Sequence, residues 1–99
     1  MSDRLVLELE GELDLATAAL LTSAVDEADG SPAVVLDLTK VEFVDSTGLR
    51  AIFTARRSAT EAGRRFAVTE GSAQVQRLLE ITRLGDHLDT IPDPDSALP

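Results

Sequence analysis

Apolar and polar positions along this chain switch repeatedly between two periods. Leu5–Glu10, reading LVLELE, alternates after a short apolar start and predicts a half-buried strand that Gly11 ends. From Ala16 to Ala28 the period lengthens. Leu20, Leu21, Ala24, Val25 and Ala28 fall on one helical face, with Asp14 or Thr17 placed to cap its start and Gly30-Ser31-Pro32 to end it. Ala33–Leu38, AVVLDL, is a near-continuous β-branched and leucine run, the pattern of a strand buried on both faces of a parallel sheet. Asp37 is its one polar member.

A short connection is expected at Thr39-Lys40-Val41, after which Phe43 and Val44 lead to Asp45. Leu49, Ile52, Phe53, Ala55 and Ala59 then build a helix that ends at Gly63. Arg64–Glu70, RRFAVTE, predicts another short strand. Ser72 is placed to cap a third helix, with Val75, Leu78, Leu79 and Thr82 on its apolar face and Gly85 closing it. Leu88–Ile91 predicts a last strand before the Pro92 and Pro94 tail. Such alternation requires crossover connections. The expected fold is α/β, a mixed and mostly parallel sheet of about four strands covered by about three helices. It forms a single domain over residues 1–99, with a core at 5–91 and a tail at 92–99.

Composition agrees and removes whole classes of function. A chain of 99 residues with 43% apolar side chains is of a size to bury one core. Eighteen acidic against nine basic residues give a net charge of −9, which opposes direct nucleic-acid binding and anionic membranes. Arg56, Arg57, Arg64 and Arg65 read as a solvated helix face and turn. The chain has no cysteine, so disulfides, thiolate catalysis and cysteine-based zinc sites are ruled out. No apolar run approaches the ~20 residues of a membrane span, and Met1-Ser2-Asp3-Arg4 leads into a strand rather than a signal peptide. A cytoplasmic protein without membrane insertion is expected.

The chemistry concentrates at VEFVDSTGLRAI, Val41–Ile52, where a strand pattern gives way to a helical one across Asp45-Ser46-Thr47-Gly48. Three readings compete: a helix start, a catalytic site, or a serine placed for modification. An aspartic protease needs Asp-Thr-Gly or Asp-Ser-Gly in an all-β setting, and here the glycine comes one residue late. A serine nucleophile needs a base in reach, and the one histidine, His87, sits at the end of the third helix. Paired histidines, a calcium loop and a phosphate-binding glycine loop are all missing, so no catalytic residue, metal or cofactor is expected. Capping and modification remain, and they are compatible. One cap suffices for a helix start, whereas this junction offers three polar side chains and a glycine that leaves the hydroxyls open.

GELDLATA (Gly11–Ala18), AVVLDLTKVEFVDSTGLRAI (Ala33–Ile52) and SAQVQRLLEITRLGD (Ser72–Asp86), in this order and spacing, resemble the STAS domain family, in particular its stand-alone anti-sigma-factor antagonists. The resemblance implies a partner switch. The unphosphorylated antagonist binds an anti-sigma factor, a serine kinase with a histidine-kinase-like ATPase fold, and so frees the sigma factor. Phosphorylation of the serine after Asp in D-S-[ST]-G-L turns it off, and a PP2C-type phosphatase restores it. That serine is Ser46; by motif position it is favoured over Thr47. The same resemblance places Glu12 and Asp14 beside Asp45, Ser46, Thr47 and Gly48 on the partner surface. Asp37 and Asp45 are expected to support that end of the sheet by hydrogen bonding, the alternative for Asp37 being that it simply holds the next connection. STAS domains also serve as subunits of membrane lipid-transport complexes, in stress-signalling assemblies and as small-molecule sensors, and these alternatives stay open.

Overall fold

The computed structural model describes residues 4–26 and 30–98. Four strands, β1 (Leu5–Leu13), β2 (Ala33–Val44), β3 (Arg65–Thr69) and β4 (Thr90–Ile91), alternate with three helices, α1 (Leu15–Asp26), α2 (Ser46–Glu61) and α3 (Ala73–Thr82). A 3-10 turn at Leu84–His87 leads into β4. The strands lie in chain order, each parallel to the next. The sheet is therefore wholly parallel among the described residues, where a mixed one was allowed for.

With that order, crossovers of one hand place successive helices on the same face. The main core shows it: Leu13, Val34, Leu36 and Val68 of the sheet pack with Leu21, Ile52, Ala55, Val75 and Leu79 of the helices. The other face carries a smaller cluster of Val35, Ala67 and Ile91, with Val6 and Leu98 against it. Here the end of the chain gives the cover, since Arg4 Nη1 donates to the carbonyls of Pro94 (3.1 Å) and Ser96 (2.6 Å). The segment read as a tail is thus folded back onto the sheet.

β2 is the spine of the domain. Ala33–Leu36 and Leu38 are buried, as the unbroken apolar run predicts for a strand covered on both sides. Fully burying each of its Val and Leu side chains stabilises by about 1.5–3 kcal/mol. The strand does not stop at Thr39-Lys40-Val41 but runs on to Val44. Its pairing with β1 explains why a connection was expected there. Glu8 pairs Asp37 and Glu10 pairs Lys40, then Gly11 pairs Val41 and Glu12 pairs Phe43, so β2 takes in an extra residue twice. Each bulge resets the alternation. Burial then falls on Leu38, Val41 and Val44, a spacing of three that belongs to no regular strand, and Phe43 is turned out to 50% exposure.

The helix ends follow local chemistry. Ser72 caps α3 by accepting from the Val75 N–H at 3.2 Å, as expected. The helix ends at Thr82 rather than at Gly85, because Arg83 takes the left-handed conformation at φ 59° and Gly85 falls inside the following 3-10 turn. The expected end of α1 at Ala28, and the Val25 side chain, lie outside the described residues.

Candidate functional site

Because β1 and β2 are parallel, with Leu13 opposite Val44, both strands deliver the chain to the same edge of the sheet and α1 and α2 begin side by side. At the start of α1, Asp14 Oδ1 accepts from the N–H groups of Ala16 (3.1 Å) and Thr17 (3.2 Å). Thr17 Oγ1 in turn accepts from the Asp14 N–H at 2.8 Å. This reciprocal pair is a capping box. The Thr17 hydroxyl also reaches the carbonyls of Asp14 and Glu12 at 3.2 and 3.3 Å. Its polar groups are fully engaged with the turn.

At the start of α2 the cap is Asp45, in extended conformation, whose Oδ1 accepts from the Gly48 N–H at 2.8 Å. The Asp45 N–H donates to the Leu13 carbonyl at 3.3 Å, tying this cap to the end of β1. Ser46 occupies the first helical position and is exposed; its hydroxyl has no hydrogen-bond partner among the described residues. Thr47 is half-buried and faces α1, lining a shallow depression with Ala18, Thr22 and Arg50. The two hydroxyls are therefore not equivalent: one is presented outward and the other lies between two helices.

Gly48 has a reason that the sequence does not disclose. It is buried, and a Cβ at this position would overlap the Leu13 carbonyl oxygen and lie 2.7 Å from its carbon. The glycine lets the first turn of α2 rest on the backbone of β1. Its absence of side chain is used for this approach, not to clear a path to the serine.

The structure brings Glu12, Asp14, Asp45, Ser46, Thr47 and Gly48 to one edge of the sheet. Glu12 is exposed at the end of β1, while the carboxylate of Asp14 is occupied by the α1 cap. Asp37 lies away from this edge, in the middle of β2. Its Oδ1 accepts from the Thr39 hydroxyl (2.7 Å), the Thr39 N–H (3.0 Å) and the Thr69 hydroxyl (3.1 Å). The buried Thr69 itself accepts from the Leu38 N–H at 2.7 Å. Desolvation works to raise the Asp37 pKa, but these hydrogen bonds, with help from nearby Lys40, outweigh it and hold the carboxyl below its ordinary value. Asp37 locks the first bulge of β2 and supports the site edge only through that strand.

Sequence reading placed Phe43 with the strand and missed its exposure. It borders an apolar depression with Leu78 and Ile81, two residues before Asp45. The extra residue opposite Gly11–Glu12 turns it outward, and that register is not visible in one strand's own pattern. Among the described residues, no group of His, Asp and Glu could hold a metal ion, and no helix is long and apolar enough to cross a membrane.

A strand-ordered parallel sheet with an Asp-capped, serine-first helix start beside the strand end Gly11–Leu13 and the Asp14 cap defines the class. The STAS domain family model matches residues 2–97, and the chain belongs to that family. It is similar to the anti-sigma-F factor antagonist RsfB of Mycobacterium tuberculosis, with 39% identity over 69 residues, covering 68% of this chain and 57% of that relative. The match thus spans little more than half of the relative's length. The crystal structure of an anti-sigma factor antagonist from Mycobacterium paratuberculosis matches with a TM-score of 0.81 at 29% identity, covering 96% of this chain and 82% of that one. A sulfate transporter family protein from Wolinella succinogenes reaches a TM-score of 0.85 at 19% identity, over 99% and 84% of the two chains, a likeness of fold alone.

Proposed function

We propose that this protein is an anti-sigma-factor antagonist in a phosphorylation-controlled partner switch. In this reading the unphosphorylated form binds an anti-sigma factor that is a serine kinase of the histidine-kinase-like ATPase fold, and so releases the sigma factor. Transfer of the γ-phosphoryl group of ATP to Ser46 Oγ, with loss of the hydroxyl proton, turns the antagonist off. A PP2C-type phosphatase returns it to the active form by hydrolysis. The names of the relatives support the antagonist role. The observation that carries the switch is the Ser46 hydroxyl, exposed and without a hydrogen-bond partner among the described residues, at the start of a helix already capped by Asp45.

Physical chemistry supports an effect on binding rather than on folding. A helix N-terminus accommodates an anion, so a phosphate of ≈ −1.5 to −2 charge is compatible with the fold. It would stand beside Asp45 and exposed Glu12 and add to a net charge of −9. A partner surface complementary to the unmodified site, with cations facing Glu12 and an apolar seat for Phe43, would then have to desolvate a doubly charged group. A cost of ~3 kcal/mol at the interface lowers affinity on the order of a hundredfold, enough for a switch.

The test is a titration of the anti-sigma factor from the same organism with wild type and Ser46→Glu, each checked for folding by thermal denaturation. An affinity loss on the order of a hundredfold with an unchanged melting curve supports the reading. Equal affinity would sink it. Incubation with the kinase and ATP, followed by mass spectrometry of wild type, Ser46→Ala and Thr47→Ala, locates the phosphate; label retained in Ser46→Ala would move the site elsewhere.

A further inference from the structure

The opposite flank of α1 carries a second surface. β1 lies at the end of the strand order and, among the described residues, has β2 on one side and no strand on the other. Over Leu5–Glu10, before Gly11 at φ +72°, Leu5, Leu7 and Leu9 are half-buried on the helix side, while the other face carries half-buried Val6 and exposed Glu8 and Glu10, with the first bulge of the β2 pairing falling opposite these two glutamates. Between this open edge and α1 runs a groove of about 390 Å³ with Leu7, Leu9, Leu13 and Leu21 in its floor. Leu20 stands on its wall at 70% exposure. Apolar floor, apolar wall and a free backbone edge thus occur together.

We infer that the β1 edge and this groove form a docking site for an extended protein segment in which basic and aliphatic residues alternate. An added strand uses the unpaired N–H and C=O groups of the edge for main-chain hydrogen bonds and the groove for alternate side chains. Strand period sorts the rest: aliphatic residues enter the groove on the side of Leu7 and Leu9, and the residues between them meet Glu8 and Glu10. Glu10 has only the distant and exposed Lys40 at 3.8 Å, and Glu8 has no cationic partner among the described residues. A second copy of this chain is a poorer occupant. Two-fold pairing of β1 with itself is antiparallel, and every register centred at Glu8, Leu9 or Glu10 sets glutamate against glutamate, which is destabilising. The acidic row therefore opposes those pairings and favours a basic strand. The groove reaches Glu12 at the strand end, where it meets the proposed anti-sigma surface, but its Val6–Glu10 length lies away from Ser46, and binding along that length is read without the anti-sigma partner.

The test uses a capped hexapeptide of alternating lysine and valine, with a block-order peptide of the same composition as control, titrated into the whole chain and followed by backbone amide NMR. The expected result is saturable shifts over Leu5–Glu10 and the groove, with the alternating peptide about tenfold tighter than the block peptide. Glu8→Lys is expected to weaken it about tenfold through electrostatic complementarity. Leu20→Asp is expected to weaken it as well, although it adds a negative charge, because it removes the apolar wall. Both substitutions are at exposed positions, and thermal denaturation checks that they fold. Equal affinity for the two peptides, tighter binding by Leu20→Asp, or shifts lying elsewhere would reduce the effect to bulk charge attraction and overturn the inference. A sedimentation experiment showing a dimer that protects β1 amides would overturn it in favour of a second copy.

Discussion

Two helices begin side by side at one edge of the sheet, and both carry an aspartate and a hydroxyl residue there. At α1, Asp14 and Thr17 satisfy each other and the free N–H groups between them, so the acid and the hydroxyl are consumed by the turn. At α2, Asp45 alone makes the cap, and the Ser46 and Thr47 hydroxyls have no part in it. The comparison teaches that residue type does not separate a structural cap from a site. What separates them is whether the polar atoms have partners. α1 starts with none to spare; α2 starts with a surplus, and the surplus hydroxyl on the outside is Ser46.

The contrast can be broken most severely at Gly48. Gly48→Ala forces the first turn of α2 off the Leu13 carbonyl and is expected to cost about 3 kcal/mol or more, read as the midpoint shift in urea denaturation. A loss below about 1 kcal/mol would mean that the approach is loose. The caps come next. Asp45→Ala and Asp14→Ala should each cost about 1–2 kcal/mol. A double-mutant cycle sharpens the difference: Asp14 and Thr17 are expected to couple by about 0.5 kcal/mol or more, whereas Asp45 and Ser46 should be additive.

A smaller effect is expected at Asp37, which serves the bulge and neither helix start. Its carboxyl is held below the ordinary value in the fold, so its contribution is complete above the unfolded-state pKa and is lost as pH falls through the lower folded-state one. Asp37→Asn should cost about 1 kcal/mol at neutral pH, and the gap to wild type should narrow in acid. Denaturation at pH 7 and about pH 3 checks the sign. A gap that widens in acid would contradict the assignment. The smallest change is Ser46→Ala. With no hydrogen bond from its side chain among the described residues, the variant should stay within about 0.5 kcal/mol of wild type, and a larger loss would show that Ser46 belongs to the cap after all.

Much of this architecture was legible in the chain. The unbroken AVVL run announced a strand buried on both faces, and Ser72 and Asp45 stood where caps are found. The relative placement of Glu12, Asp14 and Ser46 came from the family resemblance, not from the pattern of the residues. What escaped was cross-strand information. The two bulges of β2 depend on how it registers with β1, so Thr39-Lys40-Val41 reads as a connection and nothing in the strand's own pattern marks Phe43 as exposed. Gly48 was recognised as part of the junction, but its reason lies in the Leu13 carbonyl, a backbone atom that carries no sequence signature. The end of α3 was misplaced because Arg83, a residue with no special tolerance for the left-handed region, adopts it ahead of Gly85.

The seat of Gly48 on Leu13 also ties the serine to the folding history of the chain. The Asp45 N–H and the Gly48 backbone meet β1 only after β2 has crossed over and paired in register, a contact distant in sequence and therefore among the slower ones to form. An extended or nascent chain has Ser46 but not the first turn of α2 resting on a neighbouring strand. Whatever reads that turn as a shape reads, at the same time, that the first half of the domain has been built.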